Sequence, residues 1–137
     1  MDILLIEDRE EDAELTKLAL ESNLSSVDIH WLKDGDQALN YLFKEDNLDA
    51  ISDLKLILLD VNLPKINGLE LLKNLKLSSL KHIPVVMLTT SNQDSDIINA
   101  YSHYANSYIL KPVAFQDFQE VVSNLANYWM NINVTQG

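Results

Sequence analysis

The sequence predicts an α/β protein, a parallel sheet covered by helices on both faces. Two observations carry this. Short, continuously apolar runs recur at residues 3–6, 56–59 and 84–88, and a strand with no polar side is one buried on both faces. Strand candidates alternate with segments whose apolar residues fall at helical spacing, five times over, as crossover-linked parallel strands require.

Residues 3–6 form the first strand, which ends on Glu7 and Asp8. Residues 10–22 read as a helix, with Ala13, Thr16, Ala19 and Leu20 near one face. After a loop, residues 27–32 alternate Val27, Ile29 and Trp31 against Asp28 and His30, a strand with one wetter face. Asp34 and Gly35 break the chain before a second helix, 36–43, apolar at Ala38, Leu39, Leu42 and Phe43. Residues 44–55 are polar and form the longest connection; loops of that size are usually functional or mobile.

The stretch LILLDVNLPKINGLELL then runs from Leu56 to Leu72. Its apolar strand stops at Asp60, turn residues Pro64, Asn67 and Gly68 follow, and a helix continues to about residue 77. The strand at 84–88 ends in Thr89, Thr90 and Ser91. A helix over 94–104 has Ser91 or Asn92 near its cap. The last strand, 107–110, ends on Lys111 and Pro112. In the final helix, 115–130, Phe115, Phe118, Val121, Val122, Leu125, Ala126 and Trp129 share one face. Residues 131–137 are polar and read as a frayed tail. Residues 1–137 make one domain, long enough to bury a core unaided.

Composition excludes several functions. With no Cys there is no disulfide framework, zinc-thiolate site or thiol nucleophile. No apolar run approaches the roughly 20 residues that span a bilayer, and residues 3–6 are too short, and lack the basic leader, of a signal peptide. A cytoplasmic protein without membrane contact is expected. A net charge of −11 argues against nucleic acid, whose binding rests on Lys and Arg. It suits a chain that gathers carboxylates around a cation.

In a parallel sheet the carboxyl ends of the strands share one edge. Here that edge carries Glu7 and Asp8, Asp60, Thr89 and Lys111. Clustered carboxylates repel one another and need a cation or a raised pKa. Mg2+ prefers oxygen ligands, commonly one or two carboxylates with water and phosphate oxygens. A hydroxyl and an ammonium suit the other oxygens of a phosphoryl group, and a carboxylate can be the nucleophile. The parts fit phosphoryl transfer to an Asp. Taken singly each has a plainer explanation: acids that open a helix, a β-branched strand residue, a solvated lysine. Their joint occurrence at four strand ends carries the functional reading.

On these residues the sequence resembles a response-regulator receiver domain over nearly its whole length. The resemblance rests on the acidic pair, Asp60 with Pro64 and Gly68 behind it, Thr89, and Lys111-Pro112. It implies the doubly wound, flavodoxin-like strand order 2-1-3-4-5. It implies Asp60 as phospho-acceptor from a phosphohistidine on a sensor histidine kinase. Mg2+ (or Mn2+) would be held by Glu7, Asp8, Asp60 and the backbone carbonyl of Asn62. Thr89 and Lys111 would contact the phosphoryl group, the Lys111-Pro112 bond would be cis, and Thr89 with Tyr108 would form the switch. The residues alone leave Tyr108 equally compatible with core packing.

With no further domain after the last helix, signal is expected to leave by protein contact or onward phosphotransfer, without independent substrate turnover. The segments IEDREEDAELTKLAL, DGDQALNYLF and TTSNQ resemble the small receivers that serve phytochrome kinases. Those imply a homodimer through the fourth helix, last strand and last helix, with Tyr128 and Trp129 at the start of an extension. Trp129 equally suits core closure. The alternative is a pseudo-receiver, a protein-binding module that does not use phosphorylation, but such modules typically lack the acceptor Asp or the Lys. A haloacid-dehalogenase-type phosphatase would need a second acid where Asn62 stands. A flavodoxin would need a phosphate-cradling loop after the first strand.

Overall fold

The computed structural model describes residues 1–44, 46 and 48–136, leaving aside the side chains of Leu48 and Ala50. Five parallel strands, β1 (Ile3–Ile6), β2 (Ile29–Leu32), β3 (Leu56–Leu59), β4 (Val85–Thr89) and β5 (Ser107–Leu110), form one sheet. Their order is β2-β1-β3-β4-β5, as the resemblance implies. The helices are α1 (Glu10–Asn23), α2 (Gly35–Leu42), α3 (Leu48–Ser52), α4 (Gly68–Lys76), α5 (Asp94–Ser102) and α6 (Phe115–Asn127).

The strands are apolar throughout because each side chain enters one of two cores. Successive residues of a strand point to opposite faces. Leu4, Ile6, Ile57, Leu59, Val85 and Met87 pack beneath α2, α3, α4 and α5. Ile3, Leu5, Leu56, Leu58, Val86 and Leu88 pack against α1 and α6. A one-residue slip of β3 would exchange the two sets, but parallel pairing of Ile3 with Leu56 and of Ile57 with Val85 holds the register.

Several element boundaries differ from the sequence expectation. Strand β2 starts at Ile29, not residue 27, because its first partner on β1 is Ile3. The polar connection 44–55 contains the short helix α3, whose Ile51 is fully buried; Glu45 and Asn47 lie outside the described residues. Asp34 caps α2 by accepting the Gln37 N–H at 2.7 Å, and Asn67 caps α4 by accepting that of Leu69 at 2.8 Å. Helix α5 is capped at Gln93 without a side-chain bond, although Ser91 Oγ donates to Asp96 in its first turn. Helix α6 ends at Asn127 and passes into a π-type turn, Tyr128–Ile132. Trp129 and Met130 pack on the α1–α6 core, which draws Asn131 and Ile132 out of the expected frayed tail. Among the described residues no helix is long and apolar enough to cross a membrane.

Candidate functional site

The β1, β3, β4 and β5 carboxyl ends meet as expected. Glu7 is 2% exposed, Asp60 5%, Thr89 0% and Lys111 9%. The other buried polar residues among those described, Thr16 and Asp34, have ordinary structural work. Thr16 Oγ1 donates to the Asp12 carbonyl within α1, and Asp34 is the α2 cap.

Asp60 sits where β3 gives way to a turn that ends at Gly68, whose N–H donates to the Val61 carbonyl at 2.8 Å. Its Oδ1 accepts the Thr89 hydroxyl at 2.7 Å and the Asn62 N–H at 3.1 Å. Its Oδ2 accepts the Lys111 ammonium at 3.0 Å. Lys111 also donates to Glu7 Oε2 at 2.7 Å and to Asp12 Oδ2 at 3.1 Å. Glu7 is fixed further by the Arg9 N–H on its Oε1 at 3.2 Å and by the Trp31 indole on its backbone carbonyl at 2.8 Å.

Charge and burial oppose each other at this edge. Burial pushes the Glu7 carboxyl up to about 8, and the Asp60 charge adds to the shift while Lys111 resists it. Burial also disfavours the charged form of Asp60, but the Lys111 ammonium and the Thr89 hydroxyl prevail and hold it below the ordinary carboxylate range. Burial works against the Lys111 charge too, and the facing Asp60 and Glu7 overcome it, so its pKa rises. One ammonium here faces several acids.

That imbalance fits a divalent cation. Glu7, Asp8 and Asp60 each offer an oxygen within 4.8 Å of one another, a hard donor set of the kind that Mg2+ or Mn2+ takes. Asp8 is exposed at the mouth, as is Asn62, which leaves room for water ligands.

Two expectations need comment. The Lys111–Pro112 bond is trans: no cis peptide bond occurs among the described residues. Trans is the favoured state of an X-Pro bond by about 0.5–1 kcal/mol, and in this conformer the ammonium already reaches all three carboxylates. Tyr108 is half-buried against the core layer under α2 to α5. Its hydroxyl donates to the Ser91 carbonyl at 2.9 Å, and the Ser91 N–H lies 3.3 Å from Thr89 Oγ1. Thr89 and Tyr108 are thus joined through the β4–α5 loop.

Asp12 is the site residue that the sequence reading missed. The available signal was its place four residues before the buried Thr16 on α1, beside the inward-facing stripe, but it lies among the acids Glu10 and Glu11 that merely open the helix. A cavity of about 250 Å³ over Lys111 is lined by Arg9, Asp12, Thr90, Pro112, Val113 and Phe118.

Residues 3–123 match the model of the response regulator receiver domain. The chain is 41% identical to the probable methanogenesis regulatory protein FilR2 of Methanothrix harundinacea, over 98% of this chain and 87% of FilR2. It is 35% identical to the response regulator Rcp1 of Synechocystis, over 93% of this chain and 88% of that protein. The Mn2+-bound structure of Rcp1 superposes with a TM-score of 0.87 at 33% identity, over 98% of both chains. That of the phosphorylated cyanobacterial phytochrome response regulator RcpA superposes with a TM-score of 0.93 at 34% identity, over 99% of this chain and 98% of RcpA.

Proposed function

This chain belongs to the response regulator receiver family, and on that premise we propose that Asp60 is the phospho-acceptor of a two-component phosphorelay, with Lys111 and Thr89 as the groups that meet the phosphoryl oxygens. One observation carries the assignment. Asp60 is the carboxylate that lies within hydrogen-bond reach of both the buried ammonium of Lys111 and the buried hydroxyl of Thr89.

The transfer is a displacement at phosphorus. An Asp60 carboxylate oxygen forms the new P–O bond as the P–N bond to a donor imidazole breaks. The electron pair of that bond leaves on the imidazole nitrogen, which takes up a proton from solvent. Lys111 neutralises charge on the phosphoryl oxygens. Thr89 Oγ1 is free to pass its hydrogen bond from Asp60 to a phosphoryl oxygen. Glu7, Asp8 and Asp60, with the Asn62 carbonyl, would hold Mg2+ or Mn2+, which when bound offsets carboxylate and phosphoryl charge. Water attack on the acyl phosphate returns Asp60 and inorganic phosphate. Movement of Thr89 would be felt at Tyr108 through Ser91, a two-state element biased by the phosphoryl group.

The test is the intact mass after incubation with Mg2+ and acetyl phosphate. A single base-labile phosphoryl adduct on the peptide that holds Asp60 is expected. No adduct, despite measurable Mg2+ binding, overturns the proposal.

Thr90 is exposed and lines the cavity mouth, where its side chain narrows the approach of water to the phosphoryl site. Thr90→Ala is expected to hydrolyse its acyl phosphate faster, by roughly fivefold for about 1 kcal/mol of barrier. An unchanged decay rate removes the idea.

The sensor histidine kinase is proposed as donor, with a phytochrome-type kinase the narrower candidate on the likeness to RcpA. A cytoplasmic setting and a single working unit over residues 1–137 belong to the same proposal. A homodimer through α5, β5 and α6 is supported by Ile98, Tyr101, Tyr104, Leu110 and Phe115, all exposed on that side. Light scattering at high concentration should show a dimer in the phosphorylated or unphosphorylated protein; a monomer in both excludes it.

A further inference from the structure

We propose that Asp12 is a positioning residue for phosphoryl transfer, holding the Lys111 ammonium on the α1 side of the pocket when its other partners turn to their ligands. The inference rests on Asp60 being the phospho-acceptor. An ammonium has three donors, and all are spent: on Glu7 at 2.7 Å, Asp60 at 3.0 Å and Asp12 at 3.1 Å. Glu7 and Asp60 belong to the oxygen cluster that suits a cation, whereas Asp12 does not. Once Glu7 and Asp60 are engaged there, Asp12 is the protein carboxylate left to hold the lysine.

Its placement suits that task. Asp12 sits in the first turn of α1, with its carbonyl accepting the Thr16 hydroxyl at 2.8 Å. Its neighbours Glu10 and Glu11 are exposed, while the Asp12 side chain is only 18% exposed. Arg9 approaches the same Oδ2 at 3.8 Å but is itself 62% exposed, so that contact is weak. Lys111 is otherwise a flexible four-carbon arm below a cavity open to solvent. A displacement of about 1 Å in such a group can cost up to 100-fold in rate.

Two opposing effects make the test decisive. Asp12→Asn removes a negative charge near the phosphoryl site, which by charge alone strengthens anion binding. It also removes the charged anchor of Lys111, which weakens it. Beryllofluoride, a phosphoryl analogue, is titrated by calorimetry with saturating Mg2+ into the wild type, Asp12→Asn and Asp12→Glu, beside Mg2+ alone and thermal melts. We expect Asp12→Asn to bind Mg2+ within about twofold of wild type and beryllofluoride about tenfold more weakly, the scale of one charge-assisted hydrogen bond. Asp12→Glu should recover part of the loss. In the Mg2+–beryllofluoride complexes, the Lys111 ammonium should give a protected NMR signal in the wild type that is lost in Asp12→Asn, while in the metal-free proteins Glu7 and Asp60 still hold it. Equal or tighter beryllofluoride binding by Asp12→Asn, with the ammonium signal kept, overturns the proposal. A wild type that takes up neither beryllofluoride nor phosphate overturns the phospho-acceptor reading and this one with it.

Discussion

Asp60→Asn is expected to yield no phosphoryl adduct under conditions in which the wild type is fully modified, while remaining folded. The loss is complete because an amide has no carboxylate oxygen to form the acyl phosphate. The fold should survive because Asn has nearly the same shape, but not without cost. Both Asp60 oxygens accept hydrogen bonds, Oδ1 from Thr89 and Asn62, and Oδ2 from Lys111. Asn supplies one oxygen, so its NH2 must face either the Lys111 ammonium or the Asn62 N–H. That mismatch is worth about 1–3 kcal/mol. The sign agrees with the titration of Asp60. Its folded pKa lies below the ordinary value, so the ionised group adds stability at neutral pH that is lost as pH falls through the folded pKa. Intact mass and a thermal melt of the variant check both statements. A retained adduct would move the acceptor to another carboxylate.

Gly68→Ala is expected to be the most damaging single methyl in the chain, costing about 3 kcal/mol. A Cβ on Gly68 would lie 1.9 Å from the Asp60 carbonyl oxygen and 2.9 Å from the Val61 Cα. These are backbone atoms at the end of β3, so no side chain can rotate away. Either the start of α4 lifts from the sheet or the Asp60 turn deforms. Both disturb Asp60, the proposed acceptor, so phosphorylation should slow as the melting temperature falls, by roughly 10 °C for a domain of this size. Gly35 approaches the same turn from the other side, where its Cβ would meet the Ile66 carbonyl at 2.3 Å. Apart from the terminal Gly137 these are the glycines of the chain, and both are spent on close packing around the segment that presents Asp60. A Gly68→Ala protein with an unchanged melting point would show that α4 is looser than the structure requires.

That Asp60, Glu7, Asp8, Thr89 and Lys111 stand together at one sheet edge was legible in the sequence. Each ends an apolar run, and a run of three to five apolar residues stopped by a polar one is a local pattern. The five-fold alternation was legible for the same reason. The boundaries of β2 and α6 were not, because they depend on partners far away in sequence. Ile29 starts a strand because it meets Ile3, and the chain continues as a π-type turn past Asn127 where Trp129 and Met130 find the α1 side of the core. Helix α3 was hidden in a polar stretch, held by the burial of Ile51.

Read alone, the sequence determined the α/β class and which residues stand at strand ends, since both follow from hydrophobic period and from the chemistry of the residue that interrupts it. The tertiary structure decided what those residues do to one another. It placed one buried ammonium among Glu7, Asp12 and Asp60, pushed the Glu7 pKa up and the Asp60 pKa down, and brought in a carboxylate from α1 that no strand pattern marks. The physical reason is distance. Hydrophobic periodicity is written over a few neighbouring residues, whereas Lys111 and Glu7 lie 104 residues apart in the chain, and only the packed sheet brings their charges together.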